Sequence, residues 1–190
     1  MNDRDLHAHL INQQGGRHSL NTPVLLIELD AFEKNVADMA AYTKANGVRL
    51  RPHAKTHKCA EIARRQIAAG AVGVCCAKLG EAEEMAAGGV ASVLITSPVV
   101  SEPAIKRLVL LNEKMIDLQV VVDNPDNARA LAAAIGSAKR LKVLIDVDPG
   151  IRRTGVASPG AAVALARIIA DLPALDLTGV QYYCGRQQHI

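Results

Sequence analysis

Aromatic residues are scarce in this sequence: of 190 residues, three are Tyr, one is Phe and none is Trp. A hydrophobic core must therefore be built mainly from Ala, Val, Leu and Ile, and apolar residues make up 49% of the chain. Such residues suit parallel strands that helices bury on both faces. The net charge is +3 and no basic tract is interleaved with aromatics, so we expect no nucleic-acid partner.

Long apolar runs are also missing. The first 21 residues are polar, and the sequence contains neither a signal-peptide core nor a run long enough to cross a membrane. We therefore expect a cytoplasmic protein without a membrane partner. It would consist of a polar N-terminal segment over residues 1–21 and one folded domain over residues 22–190.

Cysteine occurs at four positions, and no two of them form a C-x-x-C pair. Two of the four are adjacent in an apolar run, where successive side chains of a strand point to opposite faces. We expect no disulfide framework and interpret all four as buried, reduced thiols. They are Cys59, Cys75, Cys76 and Cys184.

The chain does contain a regular alternation of short β-branched runs with longer helical runs. The runs that predict strands cover residues 24–29, 48–51, 72–76, 92–96, 118–122, 141–147 and 175–182. Asp30, followed by Glu33, forms a capping box that predicts a helix start. Three further N-cap residues precede a proline: Ser101, Asn124 and Ser158.

Each predicted strand is followed by a helix, which is typical of right-handed βαβ units and a parallel sheet. An open doubly wound sheet would fit this alternation, but polar residues recur just after the strands all along the chain. In a TIM-type (β/α)8 barrel those positions form one ring at the C-terminal face, where active sites lie. The ring residues are Lys55, Lys78, Ser97, Asp123, Asp148, Arg153 and Tyr183. We therefore predict an incomplete α/β barrel, with about six of the eight strands counted from residue 48.

The densest polar segment is Arg-Pro-His-Ala-Lys-Thr-His-Lys at residues 51–58, which places five potential cations in eight residues directly after a predicted strand. One interpretation is a solvated charge run. Another is a metal site built from His53, His57 and Cys59, although the neighbouring Lys and Arg would repel a cation. A third is a reactive amine. Neighbouring cations and partial burial would lower the pKa of Lys55, and a neutral amine can form a Schiff base with an aldehyde cofactor.

This octad resembles the cofactor-lysine motif of the D-threonine aldolase / D-serine dehydratase family, whose members are pyridoxal-phosphate enzymes related in fold to alanine racemase. Two further segments resemble that family: residues 146–155 its D-x-G-x-x-R-x-G element, and residues 179–185, with Gln188 and His189, its sixth-strand motif. The domain over residues 22–190 would then be a partial pyridoxal-phosphate-binding barrel. The resemblance implies that the last two strands, a glycine-rich phosphate site and a small C-terminal β domain lie outside this chain.

The resemblance also implies roles for individual residues. Lys55 would hold the cofactor as a Schiff base and move protons at the substrate α-carbon. Arg153 would stabilise the phenolate oxygen of the cofactor, and the ring of Tyr183 would lie near it. A surface ion pair and an ordinary core aromatic are the alternatives for those two residues. His53 and His57 would tune Lys55 or relay protons, unless they only form hydrogen bonds around the loop.

By this resemblance, the protein is a lyase that cleaves D-threonine or 3-hydroxy-D-aspartate to glycine and an aldehyde or glyoxylate. The alternatives are a D-serine or D-3-hydroxyaspartate dehydratase, an inactive fragment, or a pyridoxal-phosphate-binding protein without activity. Residues 75–76 and the element over residues 183–189 favour the aldolase branch. The resemblance further implies a small D-amino-acid substrate, a homodimer, and a divalent metal whose ligands lie outside this chain, so no metal ligand is named within it.

Overall fold

Parallel strands alternate with helices in the computed structural model, which describes residues 3–185. The strands are β1 (Val74–Cys76), β2 (Ser92–Ile95), β3 (Asp117–Val122), β4 (Leu141–Asp146) and β5 (Leu175–Gln181). The α-helices are α1 (Asp3–His7), α2 (Leu29–Ala45), α3 (Ala60–Ala68), α4 (Leu79–Ala87), α5 (Glu102–Lys114), α6 (Pro125–Ile135) and α7 (Pro159–Ala170). Two 3-10 helices, Ala8–Leu10 and Gly16–Ser19, precede α2.

The five strands form one sheet in the order β1-β2-β3-β4-β5, and every neighbouring pair is parallel. Because right-handed crossovers all step in the same direction in such an order, the helices lie on one face of the sheet. A doubly wound sheet would instead reverse its order at a switch point. The sequential order is that of a (β/α)8 barrel, so the predicted fold class of a partial α/β barrel is confirmed.

The core lies between the sheet and its helices. Four residues paired across the sheet, Cys76, Ile95, Val120 and Val143, are each 0% exposed. They pack in one cluster with side chains of the helices, among which Met85, Leu108, Leu131 and Leu165 are buried. The core cluster of residues 3–185 contains no Phe or Tyr, as the composition predicts. The neighbouring row, Cys75, Leu94, Gln119 and Lys142, is on the opposite face of the sheet, which is the interior of the barrel.

The predicted strand over residues 24–29 is wrong. In the described part of the chain this segment pairs with no strand, and Leu25 is 97% exposed. Extended apolar backbone forms a strand only where a neighbour satisfies its N–H and C=O groups. The helix also begins earlier than predicted, because Glu28 rather than Asp30 is the N-cap. The Glu28 carboxylate accepts hydrogen bonds from the backbone N–H groups of Asp30 and Ala31.

The predicted strand over residues 48–51 is not formed as a ladder, so the sheet has five strands rather than six. The segment nevertheless lies beside β1, since the Val72 N–H donates to Leu50 O and the Cys75 N–H donates to Pro52 O. His53 then forms an isolated parallel bridge with Cys75. Pro52 has no N–H to donate, which interrupts the pairing at this edge.

The proline-marked helix starts are confirmed. Asn124 caps α6 by accepting from the N–H groups of Asp126 and Asn127, and Ser158 caps α7 by accepting from Ala161. Ser101 occupies the N-cap position of α5 but makes no side-chain cap bond.

All four cysteines are free, as predicted, but only Cys76 is fully buried and the others are half-buried. Within residues 3–185, no helix combines the length and apolarity that crossing a membrane requires.

Leu108 and Leu110 provide a matched test of this core, because both lie on α5 but differ in burial. Leu108 is 0% exposed and Leu110 is 55% exposed. We expect Leu108→Ala to lower the free energy of unfolding by about 2–5 kcal/mol, since it leaves a cavity between α5 and the sheet. Leu110→Ala should change it by less than about 0.5 kcal/mol. Urea denaturation measures both, and equal losses would contradict the placement of α5.

Candidate active site

A cavity of about 320 Å³ opens at the carboxyl ends of the strands. Its walls contain apolar side chains of the barrel interior, including Leu94 and Leu144. Its polar lining comes from strand ends and the loops after them, and it includes His53, Lys55, Thr96, Ser97, Asp146, Arg153, Thr154, Gln181 and Tyr183. Four of the five predicted site residues are thus brought together, namely His53, Lys55, Arg153 and Tyr183.

His53 is held by two hydrogen bonds that define its tautomer. Its Nδ1 accepts from the backbone N–H of Lys55 at 3.3 Å, and its Nε2 lies 3.3 Å from Thr96 Oγ1. The Thr96 hydroxyl donates its proton to Cys76 O, so it accepts from the protonated Nε2. Burial and then the positive charge of Lys55 lower the pKa of His53, although Glu81 opposes this. A neutral ring therefore connects the Lys55 turn to β2.

Lys55 lies in a turn that is anchored on both sides. The buried Ala54 donates its N–H to Cys75 O at 2.8 Å, and the Lys58 N–H donates to Ala54 O at 2.7 Å. The Lys55 side chain itself is exposed, so the predicted partial burial is wrong. The turn projects this side chain from the rim rather than from within the core.

The cations expected around Lys55 are also dispersed. Arg51 points to the opposite end of the barrel, where its Nη1 donates to Ser92 Oγ at 3.0 Å. Lys58 lies 3.9 Å from the carboxylate of Glu81. The octad is therefore neither one solvated charge run nor one cationic cluster around the amine.

His57 does not line the cavity. Its Nδ1 accepts from the Cys59 N–H at 3.1 Å, whereas its Nε2 is buried without a partner in the described part of the chain. Burial lowers the pKa of His57. Among residues 3–185, no three His, Cys, Asp or Glu side chains are grouped as a metal ion requires, so the alternative site of His53, His57 and Cys59 is not formed.

Asp146 was missed by the sequence analysis as an individual residue. It is 2% exposed at the end of β4, and its Oδ1 accepts from Gln181 Nε2 at 2.8 Å. Gln181 Nε2 also lies 3.3 Å from Thr96 O, while Asp146 Oδ2 is buried and has no partner among the described residues. A carboxylate flanked by Ile145 and Val147 in a buried strand is the signal that could have identified it.

The loop after β4 presents Arg153 at the cavity. Its two ends are joined by the Val147–Val156 bridge, and Asp148 Oδ1 accepts from the N–H groups of Gly150, Ile151 and Arg152 at 2.9, 2.9 and 3.0 Å. Arg153 is exposed and Tyr183 is 43% exposed.

Not every residue of the predicted polar ring reaches the cavity. Ser97 lines it, but Lys78, Asp123 and Asp148 do not, although Pro149 beside Asp148 does. Gln188 and His189 lie outside the described residues.

The opposite end of the barrel interior is filled by a charged network around Asp117. Its carboxylate accepts from Lys142 Nζ at 2.8 Å, from Ser92 Oγ at 2.5 Å and from Gln119 Nε2 at 3.1 Å. Burial alone would raise the pKa of Asp117, but these hydrogen bonds outweigh it and lower that pKa. The network occupies the barrel interior at the amino ends of the strands. The cavity therefore lies at the carboxyl ends and opens on that side.

Fold and site together define a barrel-type α/β protein with an amine-bearing cavity at the carboxyl ends of its strands. Comparison with known proteins identifies the family: the model for "Alanine racemase, N-terminal domain" matches residues 27–188, and the chain belongs to this family.

Three known proteins are similar to this chain over 90% of its length. The chain is 40% identical over 173 residues to a D-threonine aldolase of Arthrobacter sp. and 38% identical over 173 residues to a 3-hydroxy-D-aspartate aldolase of Paracoccus denitrificans. Each match covers 90% of this chain and 45% of the relative, so the chain spans about half the length of these proteins. The crystal structure of D-threonine aldolase from Filomicrobium marinum superposes with a TM-score of 0.86 at 42% identity, over 90% of this chain and 46% of that one.

The two octad histidines predict a pH dependence of stability. Both have a pKa below the ordinary 6.5, so the unfolded chain binds more protons than the folded one below that pH. We expect the free energy of unfolding to fall as the pH drops below 6.5. The double variant His53→Gln/His57→Gln should reduce this fall in urea denaturation, and the exposed pair His9→Gln/His18→Gln should leave it unchanged. If stability falls by the same amount in both double variants, the pH dependence does not come from His53 and His57.

Proposed function

We propose that this protein is a pyridoxal-phosphate-dependent lyase that acts on D-β-hydroxy-α-amino acids, with Lys55 as the residue that holds the cofactor. The observation that carries the proposal is the meeting of Lys55, Arg153 and Tyr183 in one cavity at the carboxyl ends of the strands. The names of the aldolases to which the chain is 38–40% identical support the reaction class.

The cavity residues fit this cofactor in their chemistry. An aldehyde needs an amine, which Lys55 supplies, and a phenolate needs a cation, which Arg153 supplies. Leu94 and Leu144 offer apolar walls to a flat ring. The buried Asp146 Oδ2, which lacks a donor in the described chain, is an acceptor on the cavity lining for an N–H or O–H group of a bound molecule.

The chain's own residues then act as follows. The bound cofactor supplies an electron sink for the bond that breaks. Lys55 binds the cofactor aldehyde and moves a proton to or from the substrate, and the His53 bond to its backbone N–H orients the turn that carries it. The Arg153 guanidinium stabilises negative charge, and the Tyr183 ring borders the site. A proton relay through His57 is not included, because its ring is outside the cavity lining.

Within this class we favour cleavage of D-threonine or 3-hydroxy-D-aspartate to glycine and an aldehyde or glyoxylate. The support is the identity to the aldolases over 90% of this chain. A divalent metal, a homodimer and a phosphate-binding segment belong to the proposal for the whole enzyme and require residues beyond those described here.

The cofactor assignment is tested by trapping. The protein is incubated with pyridoxal phosphate, reduced with borohydride, and mapped by peptide mass spectrometry. We expect the label on Lys55, its loss in Lys55→Ala, and its retention in Lys78→Ala, since Lys78 also follows a strand but does not line the cavity. A label that is unchanged in Lys55→Ala would reject the assignment.

The reaction is tested with D-threonine and 3-hydroxy-D-aspartate as substrates. Formation of glycine with an aldehyde or glyoxylate is the expected result. A keto acid with ammonia would identify a dehydratase instead, and neither product would reject both reactions.

A further inference from the structure

We infer that Asp123 is a positioning residue for Arg153: it fastens the loop after β4 to the end of β3, so that the guanidinium is held at the cavity. The inference rests on the proposed function, since it concerns the same site. Asp123 Oδ2 accepts a hydrogen bond from the Gly155 N–H at 3.0 Å, across 32 positions of sequence.

Val147 at the start of the loop donates its N–H to Gln181 O of β5, but the other hydrogen bonds of residues 148–156 are local. Asp148 accepts from Gly150, Ile151 and Arg152 within the loop, and the Val156 N–H donates to Asp146 O at the end of β4. These bonds shape the loop and close it on its own strand. Asp123, in contrast, directly follows the neighbouring strand β3. Its hydrogen bond holds the part of the loop that contains Arg153.

Gly155 allows the last part of the loop to lie close against its first part, residues 147–148, which directly continue β4. Its φ is +104°, and a Cβ built there would lie 2.6 Å from Asp148 N and 2.8 Å from Val147 C. Any side chain would therefore push the loop away from the strand end. The close approach brings the Gly155 N–H to the Asp123 carboxylate, and Arg153 is two residues earlier in the chain.

Asp123 has neither of two other roles that its position suggests, namely capping α6 or lining the cavity. The cap of α6 is Asn124, whose side chain bonds Asp126 and Asn127. The Asp123 side chain does not line the cavity, whereas Arg153 and Thr154 do. Asp123 therefore acts on the site through the loop and not by touching a bound molecule.

The test compares five variants of the intact protein by the dissociation constant for pyridoxal phosphate, including Arg153→Ala alone and combined with Asp123→Ala. Asp123→Ala should weaken binding about tenfold, as loss of a charge-assisted hydrogen bond would. Asp123→Asn retains an acceptor oxygen and should restore most of the affinity. Asp126→Ala, the exposed neighbour, should not alter it. Asp123→Ala should have no further effect in an Arg153→Ala background, because the effect is exerted through Arg153.

Hydrogen exchange of the Gly155 amide separates this inference from the proposed function. The amide should exchange faster in Asp123→Ala than in the wild type, with or without cofactor. If the wild type binds no pyridoxal phosphate, the proposed function fails, yet the amide still reports whether Asp123 holds the loop. Unchanged exchange, or unchanged affinity while Lys55 is still labelled, would overturn the positioning role alone.

Discussion

Pairing of parallel strands in chain order is the constraint on which the rest of this structure depends. Each strand is bonded to the next, from β1 to β5, so their carboxyl ends lie along one rim. The loops that follow β2 and β4 and the residues that follow β5 therefore meet there, although Ser97, Arg153 and Tyr183 are far apart in sequence. The site is a consequence of this order, because no local segment contains it.

The side chains on the interior face of the sheet change in character from the amino ends of the strands to their carboxyl ends. At the amino ends of the strands, Asp117 and Lys142 form part of a paired charged network. Leu94 and Leu144 contribute apolar walls, and at the carboxyl ends Asp146 retains an unsatisfied oxygen among the described residues. Satisfied polar groups stabilise the amino-terminal end of the barrel, whereas the unpaired Asp146 oxygen belongs to a residue that lines the candidate cavity. That contrast separates the structural end from the candidate functional end.

Much of the fold could be predicted from local patterns. The N-caps Asn124 and Ser158 and the strands 118–122 and 141–147 were recognised within one or two residues, because capping and alternation are local properties. The strand predicted over residues 24–29 is not formed, because its apolar composition is suitable for a strand but a strand also needs a partner, which the sequence pattern does not show. Arg51 was misplaced similarly, since its direction depends on which face of the sheet its segment joins.

By itself, the sequence determined the helix starts, the parallel α/β class and the residues with suitable chemistry, above all Lys55 within its octad and Arg153 within its glycine-rich loop. These follow from side-chain chemistry and short-range geometry. Only the tertiary structure decided that His57 lies outside the cavity, that Asp146 lies inside it, and that Asp123 bonds the loop of Arg153. Those outcomes depend on strand register and loop closure, which bring together groups more than 30 positions apart, such as the Gly155 N–H and the Asp123 carboxylate.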